Sequence, residues 1–319
     1  MKIFSPSLAI AIGINNYRNG IAELNTARPD AEKLADLLAT DYNYQVELVT
    51  DETDRKPTLT EIRTLLTEWL PQQLQVPAEN NRLLFYFAGH GMPLESDDGP
   101  RGFLLPQNAD PRDSSTFLPM QELHDALIAL PWHHLLIILD CCFAGTFRWS
   151  STRKAIPIPE TIHRQHYDRF IRYPAWQVIA SSAHNQEALD FLSDKRGISE
   201  KDAKHSPFAE ALFEALQDDE PDEKGNRYKK ADLTKDGVIT APELYLYLRD
   251  NVEIRSGERQ TPGLFPLKRH DRGEYIFHDP NFNPNTLSFS ALGGLKDFHA
   301  QRQRRAGLFS RSAFQRWAS

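Results

Sequence analysis

The run Leu83-Leu84-Phe85-Tyr86-Phe87-Ala88 is apolar on both faces and stops at Gly89-His90-Gly91. A second run, His134–Asp140 (HLLIILD), has the same apolar centre and stops at Cys141-Cys142. Consecutive apolar residues without alternation predict strands covered on both sides, as in a parallel sheet. Working outward, Leu8–Ile14 is another such strand and Gln45–Thr50 a shorter one, with Val178–Ser181 and Gly273–Phe277 further along. Helical periods lie between them. Pro29–Asp41 puts Ala31, Leu34, Leu37 and Leu38 on one face, with Pro29 near the first turn. Leu59–Leu70 follows Thr58, with Glu61 placed to complete a capping box, and Met120–Leu130 and Pro207–Leu216 are further helices. Strand and helix alternate, which predicts an α/β fold with a mainly parallel central sheet and helices on both faces. Ligand sites in such folds lie at the carboxyl ends of strands. His90 and Cys142 stand at two such ends.

The 319 residues carry 37 basic and 44 acidic side chains, a formal charge of −7. With 40% hydrophobic residues this is ordinary globular material, and a pI near 5.9 argues against a general binder of nucleic acid or anionic membranes. No apolar run reaches the roughly 18 residues needed to cross a bilayer, and no secretory cleavage pattern follows the N-terminal strand. A cytoplasmic chain is expected. The two cysteines are adjacent, so they form neither a staple nor a cysteine-based zinc site, and they point to a reducing compartment. Pro93–Arg112, Arg148–Arg172 and Asp218–Lys230 show no clean period and read as interruptions.

Two cysteines in an otherwise thiol-free chain direct attention to nucleophilic chemistry. A thiol attacks as the thiolate, and a nearby imidazole takes its proton. His90 and Cys142 at adjacent strand ends would meet that need, and the amides of Gly91 and Cys142 would hold an oxyanion. The alternative for either residue alone is structural packing, and for Cys141 packing at the strand end is the better reading.

Tyr86-Phe87-Ala88-Gly89-His90-Gly91 and Asp140-Cys141-Cys142-Phe143-Ala144-Gly145 resemble the caspase-like cysteine peptidases, closest to the metacaspase and bacterial orthocaspase branch. Ile10–Asn16, Leu24–Ala31, Ile179–Asp190 and the Ser206-Pro207-Phe208 helix start extend the likeness over roughly residues 5–278. The resemblance implies a caspase-like sandwich, with His90 as base and Cys142 as nucleophile. It also implies a pocket of two aspartates, Asp30 and Asp140, suited to Arg or Lys at the cut. The pocket arginine of caspases would fall near Leu24. Metacaspases often carry Cys and Ser where this chain has Ala27 and Ala88, so the pocket here holds fewer polar groups. Self-cleavage of such enzymes occurs in the region of Arg148–Arg172, with Arg148, Arg153, Lys154 and Arg164 as candidates; the alternative is a solvated basic loop.

Asp232-Leu-Thr234-Lys-Asp236-Gly237-Val238-Ile239-Thr240-Ala-Pro-Glu243 fits the twelve-residue EF-hand loop. Asp232, Thr234, Asp236 and Glu243 would give side-chain oxygens to Ca2+ and Val238 its carbonyl, with Gly237 at the sharp turn and a helix Pro242–Val252 following. The alternative is a capped helix start with a tight Asp-Gly turn. Metacaspases are commonly calcium-activated, though through a different site. No organic cofactor is expected.

The organisation expected is a peptidase domain over residues 1–278, with the loop 232–243 inserted, and a basic tail or linker remnant over 279–319. The tail sets Lys296, Arg302, Arg304, Arg305, Arg311 and Arg316 against the single acid Asp297. Bacterial caspase-like modules are often joined by such linkers to a STAND-type NTPase; no P-loop is present here. Two functions follow. One is a cysteine endopeptidase acting on peptides or proteins. The other is a non-proteolytic signalling or scaffold module that keeps the fold and recruits partners through the loop or the tail.

Overall fold

The computed structural model describes residues 4–74, 80–96, 100–142, 144, 160–182, 204–217, 221, 225–257 and 259–288. Its centre is a six-stranded sheet of β1 (Ser7–Gly13), β2 (Gln45–Thr50), β3 (Arg82–Ala88), β7 (His134–Asp140), β8 (Ala175–Ala180) and β10 (Gly263–Pro266). Their spatial order is β10-β8-β7-β3-β1-β2. All pairings are parallel except that of β10 with β8. The mainly parallel sheet expected from the sequence is therefore present.

Every residue of β3 and β7 is buried, which explains their lack of alternation. Leu83, Phe85 and Phe87 point into one apolar layer with Leu135, Ile137 and Leu139. That layer is closed by α2 (Leu59–Thr64), α3 (Leu70–Gln72) and α4 (Met120–Ala129). Leu84, Tyr86 and Ala88 point the other way with Leu136 and Ile138, against α1 (Ala27–Tyr42), α6 (Pro207–Leu216) and α7 (Ala241–Ser256). Burying each such side chain contributes about 1.5–3 kcal/mol, so the two layers dominate stability.

Several boundaries depart from the sequence reading. Leu59–Leu70 is not one regular helix: α2 passes through a π-turn at Leu65–Trp69 into α3. Pro71 has no N–H to return to residue 67 and its ring crowds that carbonyl, so the backbone widens just before it. Thr58 accepts from Glu61 N–H at 3.3 Å and thus supplies its half of the capping box. The stretch Pro93–Arg112 contains strands β4 (Gly91–Leu94) and β5 (Arg101–Leu104), which pair with each other, and β5 pairs with β6 (Leu118–Pro119). Helix α5 (Arg164–Arg172) lies in the basic segment read as aperiodic; Tyr167 is its one fully buried residue, with Phe170 and Ile171 half-buried beside it on the same cluster, a stripe of only three residues. The GEYIF stretch becomes β11 (Ile276–His278), which pairs with β9 (Val238–Thr240) rather than with the main sheet. The main sheet's edge is instead β10, a half-buried four-residue strand ending in a proline. No helix among the described residues is long and apolar enough to cross a membrane.

Candidate active site

Register brings the two strand ends level. Ala88 of β3 faces Asp140 of β7, so His90 and Cys142 each stand two residues beyond a paired position. Gly89 N–H bonds to Asp140 C=O at 3.3 Å and carries the contact past the sheet. Gly91 then lies so close to Cys142 that a Cβ there would collide with the Cys142 carbonyl oxygen. Only glycine allows the histidine turn and the cysteine strand end to meet.

Pleating separates the cysteines. Cys141 falls in the α2/α4 layer and is buried. Burial pushes its thiol well above the ordinary range, and the neighbouring Cys142 and Asp140 push it further. It is held protonated and shielded. Cys142 is half-buried and lines a small cleft with Leu24, Ala27, Asp30, His90, Asp140 and Ser206. Ala144 N–H and Ser182 Oγ both donate to the Cys141 carbonyl, at 3.4 and 3.3 Å, and fix the backbone beside Cys142.

His90 is oriented from two sides. Its backbone N–H donates to Tyr17 Oη at 2.7 Å, and its ring tilts against the Tyr17 ring with centroids 4.8 Å apart. Its Nε2 lies 2.8 Å from the Ala22 carbonyl oxygen. A carbonyl only accepts, so Nε2 carries the proton and Nδ1 is the basic nitrogen of the neutral ring. The loop that supplies Tyr17 and Ala22 is pinned. Asn15 and Asn16 N–H donate to the Asp51 carboxylate at 3.3 and 3.1 Å, and Asn15 Oδ1 accepts from Arg28 N–H at 2.8 Å. Sequence reasoning found His90 and missed these supports. A backbone carbonyl leaves no side-chain signature, and Tyr17 had no pattern to set it apart.

Asp30 and Asp140 both line the cleft and are joined through Ser206. Asp30, in the first turn of α1, is fully buried; Asp140 is 7% exposed. Asp30 accepts from His205 Nδ1 at 2.6 Å and from Ser206 N–H at 3.1 Å. Ser206 Oγ donates to Asp140 Oδ2 at 2.7 Å. Burial raises the Asp30 carboxyl to about 6, against the pull of the His205 and Ser206 hydrogen bonds. Tyr86 Oη lies on the same face of the sheet, and the charges of Asp140 and Asp30 add to burial in holding it protonated. His205 and Ser206 also escaped sequence reasoning as site residues, because Ser206 read only as part of a helix start.

The loop 232–243 folds on itself. Asp232 accepts from Asp236 and Gly237 N–H at 3.1 and 2.7 Å, with Gly237 at φ +89°. Glu243 Oε2 accepts from Thr240 N–H and Oγ1, both at 2.9 Å, in a complete capping box. Thr234 Oγ1 contacts Asp236 Oδ2 at 2.8 Å and Glu243 Oε1 at 3.1 Å, so it bridges two carboxylates. Burial raises Asp232 to about 6 and Glu243 to about 7. The all-oxygen donors suit a hard cation such as Ca2+. Each carboxylate already has protein donors, and among the described residues no group of three or more His, Cys, Asp or Glu is arranged as a metal cage. Asp236 Oδ2 also accepts from Ile162 N–H at 2.6 Å, tying the loop to the segment that enters α5. Arg164 opens that helix with its guanidinium on Asp168 and Asn285, whereas Gly145, Arg148, Arg153, Lys154 and the tail beyond 288 lie outside the described residues.

No curated protein sequence matches the chain. Among solved structures, a protein from Geobacter sulfurreducens is similar at a TM-score of 0.50 and 16% identity, over 82% of this chain and 93% of that one. Caspase-1 from Spodoptera frugiperda is similar at 0.47 and 14%, over 84% and 90%. The Drosophila initiator caspase Dronc is similar at 0.49 and 11%, over 88% and 87%. A family model described as Caspase domain matches residues 6–268, most of the chain. The chain therefore belongs to the caspase domain family, a family of cysteine peptidases.

Proposed function

We propose that this chain is a cysteine endopeptidase that cleaves peptides after Arg or Lys. The observation that carries the reading is the single cleft lined by His90, Cys142, Asp30 and Asp140. A thiol, an imidazole and two carboxylates lining one cleft are the groups such a cleavage would use.

His90 Nδ1 takes the proton of the Cys142 thiol, and the sulfur attacks the scissile carbonyl carbon. The carbonyl π pair moves to oxygen, where the Gly91 and Cys142 amides hold the charge. Collapse breaks the C–N bond; the leaving amine takes the proton back from His90, and a thioester remains. Water, deprotonated by His90, attacks the thioester and releases the acid and the thiol. The Ala22 carbonyl keeps Nε2 protonated throughout, so the imidazolium presents its mobile proton on Nδ1. A guanidinium or ammonium at the residue before the cut is paired by Asp30 and Asp140. An Asp side chain there would face two like charges.

The same reading assigns Ca2+ as a modulator held by Asp232, Thr234, Asp236, Val238 and Glu243. It assigns self-processing to Arg148, Arg153 or Lys154, and a STAND-type or other signalling module as a partner of the tail. The Asp236–Ile162 bond supports the calcium part, since an ion drawing on Asp236 would act on the chain leading into α5.

The test is hydrolysis of a peptide panel ending in Arg, Lys, Asp and Leu, with and without Ca2+. Turnover of Arg and Lys peptides, lost in Cys142→Ala, is expected. Equal background in both proteins on every peptide would overturn the peptidase reading, and cleavage after Asp alone would overturn the pocket.

A further inference from the structure

The two pocket carboxylates present a physical problem. Burial disfavours a carboxylate's charge, and a buried acid tends to take up a proton. A protonated carboxyl is a poor partner for a cation. Asp30 has no solvent to stabilise its charge, and burial already moves it up to about 6. Something must hold both groups ionised and aimed.

One short piece of chain does this. Ser206 caps α6: its Oγ accepts from Ala209 N–H at 3.0 Å and donates to Asp140 Oδ2 at 2.7 Å. Its own N–H donates to Asp30 Oδ2 at 3.1 Å. Ser206 thus bridges both carboxylates and itself lines the cleft. The positive end of α6 lies beside the pair, and Pro207 at its start leaves no surplus N–H there. His205 grips the other oxygen of Asp30 through Nδ1 at 2.6 Å. The imidazole is fixed edge-on to Phe213 of α6, with centroids 5.0 Å apart. It does not line the cleft, so it acts on substrate only through Asp30. A second group supports the arrangement. Tyr86 Oη is fully buried on this face with no hydrogen-bond partner among the described residues, and both aspartates act on it. Like His205 it does not line the cleft, so its part is confined to the surroundings of the two carboxylates.

We propose that His205 and Ser206 are positioning residues for substrate specificity, holding Asp30 and Asp140 as one paired acceptor for a guanidinium at the cut. The inference rests on the Arg/Lys pocket proposed above and extends it to residues outside the dyad.

The experiment is steady-state kinetics of wild type, His205→Leu, His205→Asn and Ser206→Ala on Arg- and Lys-ending peptides, with a thermal melt of each. Leu fills the place of the imidazole without a donor, and Asn returns a donor at the Nδ1 position. His205→Leu is expected to raise KM for the Arg peptide roughly tenfold to a hundredfold, as for loss of a charge-assisted hydrogen bond, with kcat within about threefold. His205→Asn should recover most of that loss. Ser206→Ala should raise KM more for Arg than for Lys, because a planar fork needs both carboxylates in register. An unchanged KM in His205→Leu, or equal impairment of the Leu and Asn variants, overturns the inference while leaving the pocket intact. A wild type that ignores Arg and Lys peptides overturns the pocket, and this inference with it.

Discussion

The chain buries carboxylates in two places, and they are held in different ways. In the cleft, Asp30 and Asp140 are held from behind by His205 and Ser206 and face a space shared with Cys142. In the loop, Asp232, Asp236 and Glu243 are turned inward onto backbone N–H groups and Thr234. In both, burial raises carboxyl pKa values to about 6–7. The difference lies in what the carboxylates face: Asp30 and Asp140 line a cleft shared with Cys142, whereas the loop carboxylates face the loop's own N–H groups and Thr234. Buried acids alone therefore do not set the two places apart; the adjoining cleft that His90 and Cys142 also line does.

The largest effect expected on the cleft side is loss of turnover. Cys142→Ala and His90→Ala should each lower kcat/KM by at least about a thousandfold without changing the melt. Activity surviving in either would break the comparison at its root. Asp140→Asn should cost roughly a hundredfold on Arg peptides and much less on a Leu peptide, read as the ratio of kcat/KM values. An equal loss on both would make Asp140 structural.

Legibility followed the same division. β3 and β7 could be read because both faces are buried, and the glycines around His90 marked a close approach. α5 and β10 could not. One fully buries a single side chain, Tyr167, and the other is a half-buried edge strand closed by Pro266. The dyad and the two aspartates carried side-chain signals. The Ala22 carbonyl had none, and His205 gains meaning only once α6 is laid against α1. The EF-hand spacing was legible, but the pairing of its β9 with β11, in place of a second loop, belongs to tertiary structure.

Smaller effects sharpen the loop side. Asp232 and Glu243 have folded-state pKa values above their ordinary ones, so ionising them costs the folded protein stability. That cost is absent below about pH 4 and complete above pH 7. Calcium-free protein should therefore lose Tm on going from pH 5 to pH 8, and Ca2+ should restore it at pH 8 but not at pH 5. Glu243→Gln, which keeps the acceptor for Thr240 but turns an amide NH2 toward Thr234, should flatten the fall in Tm between pH 5 and pH 8 and lose the calcium response. A melt that ignores both pH and Ca2+ would leave the loop as a helix cap. Smallest of all, Cys141→Ala should cost about 1–2 kcal/mol by denaturant melt and leave kcat/KM within about twofold.

Of two adjacent cysteines, Cys142 alone is proposed as a nucleophile, beside a pocket for a basic residue. Labelling with a peptidyl electrophile ending in Arg, followed by peptide mapping by mass spectrometry, tests it most directly. One adduct per chain is expected, on Cys142, absent in His90→Ala and not formed by the Asp-ending analogue. Labelling of Cys141, or faster reaction with the Asp-ending probe, would contradict it.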